Sequence, residues 1–395
     1  MKSNKRFIFT SIICVCILIQ CSSKNRISDL FNHGIEKIGR KYIFDKSLVV
    51  YQVDLKNIGG KWTVSGMTSH ALAYQEINIF SDSLFQKNGY INKIVLLPDS
   101  ELGDSSYAII NVSVTPIREK PSHASQMVDQ AIMGYPIRLL KQEDGWFLSQ
   151  THYDYVGWIN KTAFHRCDSS FFAEWESTAQ HRIVGLNPMI FSKPDFKSIP
   201  VSDAVLNNQI KVLDSNREWV KISLPDGRLG YILNSEIDTL KIIFHKSTYR
   251  KDLLSKAYQM MGVPYLWGGN SSKGNDCSGF TQTVFKAFGE QLPRDARQQA
   301  LVGKQIQPNE SWSNVVSGDL LFFGDGEKVT HVGISIGGKD FIHQAGKVAI
   351  NSLDPNSDVF SPSRSNSFML IRRIIPINNA HNICYVEQTT IQQLN

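Results

Sequence analysis

The chain has 395 residues, with 42 Lys and Arg against 36 Asp and Glu; 42% of residues are hydrophobic and 20% charged. This composition excludes a disordered or low-complexity protein, and the length exceeds one usual hydrophobic core, so several domains are expected. A net charge of +6 over this length is too weak for a nucleic-acid binder and fits contact with an anionic surface such as a cell wall or membrane.

In chain order, Lys2, Lys5 and Arg6 form a basic head, and Phe7 to Ile19 is an apolar run broken only by Thr10 and Ser11. The run is too short to span a bilayer, so residues 1–21 read as an export signal. Leu18-Ile19-Gln20-Cys21 resembles a lipobox, which implies acylation of Cys21 and a membrane anchor facing the periplasm or cell envelope. Gln20 stands where a small residue is usual, and an ordinary cleaved signal peptide is the alternative. Residues 27–110 read as a small α+β domain without chemistry. Its helical opening carries Ile27, Leu30, Phe31, Ile35 and Ile38, and its strand-like pieces are 48–51 and 62–64.

Two later segments, 111–175 and 180–240, share a spacing. Leu140 to Trp146 is six residues, and Gly157-Trp158-Ile159 begins eleven further on; Leu213, Trp219 and Gly230-Tyr231-Ile232 repeat that pattern. Short strands, turn residues such as Asp226-Gly227 and a recurring aromatic predict two copies of one small β-barrel, with Trp146 and Trp219 in the cores. The pattern resembles bacterial SH3 domains.

A third, chemical domain is expected over 247–378. Leu253, Leu254, Ala257, Met260 and Met261 mark one face of a helix closed by Gly262. A second helix carries Phe280, Val284 and Phe288, with Asp276 as its N-cap and Cys277 in its first turn. There the unpaired N–H groups and the helix dipole favour a thiolate, although the charge of Asp276 opposes it. A nucleophilic Cys needs a base, and the base an orienter. Residues 329–336 alternate like a strand, turn at Gly337-Gly338 and return through Phe341-Ile342-His343. A three-residue loop, or a shorter loop with a bulge, puts His343 diagonal to His331 on one face; a plain two-residue loop puts them on opposite faces. No C-x-x-C or H-E-x-x-H spacing accompanies these residues, so neither metal nor other cofactor is expected.

Together, Tyr265-x-Trp267-Gly268-Gly269, residues 276–280, residues 292–295, residues 318–323, residues 331–334 and His343 resemble the catalytic domain of the NlpC/P60 family of cell-wall cysteine peptidases. The resemblance covers roughly 250–375. It implies a papain-like α+β fold behind two SH3-like β-barrels, with Cys277 as nucleophile, His331 as general base and acid, and His343 orienting His331. The combination with SH3-like domains is similar to the γ-D-glutamyl-L-diamino acid endopeptidases, which act on peptidoglycan stem peptides with a free N-terminal L-Ala. That similarity implies substrate-binding roles for Tyr265, Asp276, Ser278, Asp295 and Tyr155. The plain alternatives are aromatic packing for both tyrosines, an N-cap for Asp295 and an ordinary first-turn residue for Ser278. Ala296 stands where the pattern has Ser, and the acidic residue lent by the first SH3-like domain is Glu119, Asp129 or neither. A wall-binding lipoprotein with little activity is the rival reading. Of the six cysteines, Cys14 and Cys16 leave with the signal, and Cys167 and Cys384 are expected to be buried thiols.

Overall fold

The computed structural model describes residues 25–86, 89–240 and 248–374. The expected export signal, Cys21 and Cys384 lie outside the described residues. The chain divides into two units, Met1–Leu102 and Gly103–Asn395.

In the first unit, helix α1 (25–42) buries Phe31, Ile35 and Ile38 and leaves Leu30 exposed. An antiparallel hairpin follows, β1 (Tyr51–Ile58) and β2 (Lys61–Thr68), then α2 (Ala71–Phe85) and β3 (Tyr90–Leu96), which runs parallel to β2. The strand expected at 48–51 begins only at Tyr51. A turn organised by Asp45, whose carboxylate accepts from Ser47 N–H and whose carbonyl accepts from Leu48 N–H, holds the preceding residues.

The second unit opens with β4 (Tyr107–Ile110), β5 (Val114–Arg118), β6 (Met127–Ile132), β7 (Pro136–Glu143), β8 (Trp146–Thr151), β9 (Val156–Asn160) and β10 (Phe164–Cys167). They form a sheet of order β10-β4-β7-β8-β9-β5-β6. Residues 107–110, grouped above with the N-terminal segment, thus pair into this sheet. Helix α3 (Ser169–Thr178), capped by Asp168, lays Trp175 against Ile109 and Cys167. Next come β11 (His181–Ile183), β12 (Met189–Phe191), β13 (Pro200–Asp203), β14 (Gln209–Ser215), β15 (Trp219–Ser223), β16 (Leu229–Leu233) and β17 (Ile237–Thr239), in the order β17-β11-β14-β15-β16-β12-β13. Strand for strand, the two orders are the same.

The shared spacing has a physical origin. Leu140 and Leu213 both fall where the register shifts, in the β7–β8 and β14–β15 hairpins respectively, although Leu140 is buried and Leu213 is 45% exposed. Gly157 and Gly230 both mark a close crossing. A Cβ on Gly157 would lie 2.4 Å from Ile117 Cγ2, and one on Gly230 2.3 Å from Ile190 Cγ2. Closed barrels were expected, and here the expectation is corrected: both sheets are open. Strands β5 and β9 pair only at Arg118–Trp158, and β12 and β16 only at Phe191–Tyr231, so each sheet turns there without its outer strands meeting.

The remainder is an α+β domain. Helix α4 (Tyr249–Gln259) precedes two short strands, β18 (Asn270–Ser271) and β19 (Gly274–Asn275), then α5 (Cys277–Lys286) and α6 (Ala296–Gln299). The antiparallel sheet comprises β20 (Lys304–Ile306), β21 (Asp319–Gly324), β22 (Val329–Gly337), β23 (Asp340–Gln344), β24 (Val348–Ser352) and β25 (Phe368–Arg373), in the order β20-β25-β21-β22-β23-β24. Helix α7 (Pro362–Ser367) leads into β25. The unbroken apolar run 320–323 is buried on both faces: Leu320 and Phe322 pack with α4 and α5, Leu321 and Phe323 with Phe341 and Ile371. Helix α4 ends at Gln259 with Met260 as its C-cap, so Met261 is 46% exposed rather than on the buried face, and Phe288 lies just past α5.

Candidate active site

Cys277 sits where expected, at the first position of α5. Asp276 caps the helix, its Oδ1 accepting from Gly279 N–H at 2.8 Å. A Cβ on Gly279 would lie 2.0 Å from Gly269 O, so only glycine lets this helix start press against the preceding loop. The thiol is 9% exposed. Burial, then the Asp276 charge, push it up to about 11, while the Val332 N–H, Arg294 and the Ser278 N–H pull the other way. The thiolate expected from the helix start is therefore overruled at rest, because desolvation outweighs the oriented N–H groups.

The strand partner is β22. Its turn into β23 is two residues, Gly338-Lys339, and Ile336 is bulged out of register. The bulge restores parity: His343 pairs with Gly333, diagonal to His331, and His331 Nε2 lies 2.7 Å from His343 Nδ1. His343 Nε2 lies 2.8 Å from Asn351 Oδ1 on β24. Asn351 Nδ2 donates to Val359 O at 3.0 Å, which fixes the amide orientation. The tautomers then follow in sequence. Asn351 Oδ1 can only accept, so His343 carries its proton on Nε2. His343 Nδ1 accepts from His331 Nε2–H, and His331 Nδ1 is left as a bare base. Burial, then Arg364 and His343, hold His331 well below its usual range; burial first brings His343 down to about 4. The Val332 N–H, next in chain to His331, reaches the Cys277 sulfur.

Tyr265 is 37% exposed, and its phenol is pushed up to about 12 by burial and then by Cys277 and Asp276. Asp276 and Ser278 are engaged within the protein. Arg294 Nη2 donates to Asp276 Oδ2 at 2.7 Å, and Arg294 Nη1 to Asp276 Oδ1 and Ser278 Oγ, each at 3.1 Å. Asp295 begins α6, its N–H donating to Gln298 Oε1 and its carboxylate pairing with Arg297 at 2.9 Å. Tyr155 is buried, and burial followed by the Asp295 and Asp129 charges raises its phenol.

Of the two acids considered in the first SH3-like sheet, Glu119 is exposed. Asp129 is fully buried, accepting from Arg294 Nε and Tyr153 Oη, both at 2.5 Å. Arg294 therefore bridges β6 to the residues flanking Cys277. Desolvation alone would lower its pKa, but Asp276 and Asp129 outweigh that and hold the guanidinium well above its ordinary value. The Arg294 bridge, Asn351 and Arg364 were not singled out from sequence. Only Arg294 carried a signal, as part of the 292–295 motif.

Residues 262–363 match the model of the NlpC/P60 family, and residues 117–164 that of the bacterial dipeptidyl-peptidase Sh3 domain. The chain is 40% identical over 136 residues to the probable endopeptidase NlpC homolog of Haemophilus influenzae, covering 70% of that protein and 32% of this one. The chain belongs to the NlpC/P60 family. This NlpC/P60 chain is also 25% identical over 246 residues to the γ-D-glutamyl-L-lysine dipeptidyl-peptidase of Bacillus cereus, covering 68% of that protein and 56% of this one. An NlpC/P60 family crystal structure from Bacillus cereus superposes with a TM-score of 0.59 at 21% identity, over all of that chain and 69% of this one, a likeness of fold. The protein is a cysteine peptidase of this family, with an SH3-like β region ahead of a papain-like α+β domain.

Proposed function

We propose that the protein is a thiol endopeptidase cleaving the bond between γ-D-Glu and the diamino acid in peptidoglycan stem peptides whose N-terminal L-Ala is free. The observation that carries this reading is the hydrogen-bonded order Asn351–His343–His331, which leaves one ring nitrogen as a base, with the N–H of the next residue, Val332, reaching the Cys277 sulfur. The name of the Bacillus cereus relative supports the choice of bond.

Thiol and imidazole are both neutral at rest, so the proton moves as the bond forms. Cys277 Sγ attacks the γ-carbonyl of D-Glu while its proton passes to His331 Nδ1. Backbone N–H groups at the start of α5 and the Tyr265 hydroxyl meet the oxyanion. When the C–N bond breaks, His331 returns the proton to the leaving amine. It then takes a proton from water, which attacks the thioester and frees L-Ala-D-Glu and the thiol. His343 keeps His331 in the required tautomer. Asp295, beside Tyr155, receives the L-Ala ammonium. Asp276 and Ser278 shape the pocket through Arg294. Residues 1–21 direct export and Cys21 carries the lipid anchor, which places the enzyme at the envelope, acting on released peptides.

The test is hydrolysis of L-Ala-γ-D-Glu-diaminopimelate. Wild type releases diaminopimelate, C277A does not, and acetylating the L-Ala amine lowers kcat/KM by ~100-fold, the loss of a charge-assisted contact. An uncut tripeptide contradicts the function; equal rates on free and acetylated forms contradict the role of Asp295.

A further inference from the structure

Arg364 belongs to none of the sequence motifs. Helix α7 brings it to β21, with its guanidinium carbon 5.7 Å from the centre of the Phe323 ring. Phe323 lies opposite His331 in the β21–β22 register, their ring centroids 5.8 Å apart. Arg364 is half-buried, and its charge acts on His331 and His343. Neighbouring arginines are satisfied: Arg294 by Asp129 and Asp276, Arg373 by Asp319. Among the described residues no carboxylate pairs with Arg364; its charge is favoured by the face of the Phe323 ring and, once ionised, by the Cys277 sulfur. A half-desolvated cation without a carboxylate partner, fixed over a ring in a reaction site, is a place for an anion.

The chemistry says which anion. His331 must hand its proton to the departing amine, so the leaving residue lies against His331, and Arg364 sits over Phe323, the ring next to His331. The acidic group, Asp295, acts instead on Tyr155. We propose that Arg364 is the leaving-side specificity residue, its guanidinium receiving a carboxylate of the departing diamino acid. This rests on the function proposed above. Two carboxylates share the required chemistry, the α-carboxylate of a terminal diamino acid and the second carboxylate of diaminopimelate.

The experiment compares kcat/KM on L-Ala-γ-D-Glu-diaminopimelate, L-Ala-γ-D-Glu-L-Lys and the α-amide of the latter, for wild type, R364Q and R364K. Wild type should cut a carboxylate-bearing substrate at least ~10-fold faster than the amide, mainly through KM. In R364Q that ratio should fall to near one, and R364K should recover part of it. A loss on amidating Lys assigns the α-carboxylate; a preference for diaminopimelate over both Lys forms assigns the second carboxylate. A wild type that does not discriminate, or an R364Q that slows all three substrates with the ratio intact, overturns the role of Arg364 and leaves the peptidase reading standing. A wild type that cuts none of them overturns both.

Discussion

Asn351 shows how one side chain can set the protonation pattern of two others. Its amide donates to Val359 O and accepts from His343, and that choice propagates to the bare Nδ1 of His331. N351A removes the acceptor and frees His343 to adopt the other tautomer. We expect kcat to fall by ~10-fold or more with little change in KM, by analogy with wrong-tautomer losses in other nucleophile–base–orienter sites. N351D keeps an acceptor in place and should restore most of the rate. Wild-type kcat in N351A would refute the relay. Cys277, His331 and His343 were legible because each sits in a short local pattern: a capped helix start, or an alternating strand and its return. Asn351 and Arg364 were not, because their significance comes from side chains on other elements and leaves no local signature.

Between elements, the feature that matters most is the Asp129–Arg294–Asp276 bridge from β6 to the start of α5. Both Asp129 and Arg294 are almost wholly buried, so neutralising Asp129 leaves the buried Arg294 cation with Asp276 as its one remaining carboxylate. D129N should destabilise the second unit by about 3–5 kcal/mol, measured by urea denaturation. A loss under about 1 kcal/mol, the range of a surface pair, would show that water relieves the cation. Asp129 was weighed from sequence as a substrate contact because an isolated acid on a strand does not disclose its partner 165 residues away. The open sheets have a similar cause. Alternation and turn residues reveal strands and their repeat, and the two strand orders agree in full. Whether the outer strands meet depends on the bend at Arg118–Trp158 and Phe191–Tyr231, which no residue pattern specifies. The parity argument at Gly337-Gly338 allowed a three-residue loop or a bulge, and the chain uses the bulge.

Across the whole molecule, burial of neutral histidines links stability to pH. His343 is brought down to about 4, and His331 and His152 well below their usual range, chiefly by burial. Unfolded, each takes up a proton near pH 6.5; folded, each resists until lower pH. The unfolded state therefore binds more protons in that window, and stability rises with pH through it. The contribution is complete above about pH 6.5 and is lost as pH falls towards 4, with His343 alone supplying about 3 kcal/mol at neutrality. Urea midpoints at pH 7 and pH 4.5 should differ accordingly, and the gap should shrink in H343Q. Equal midpoints would mean that these rings are protonated in the folded protein.

The central claim is that Cys277 is acylated by the γ-D-glutamyl half of a stem peptide. It is tested most directly by quenching the protein in acid during turnover of L-Ala-γ-D-Glu-diaminopimelate and weighing the intact chain and its Cys277 peptide. The account predicts a hydroxylamine-labile L-Ala-γ-D-Glu adduct on Cys277, absent in C277A, which should also be inactive. Turnover by C277A at the wild-type rate, or an adduct on any other residue, would contradict it.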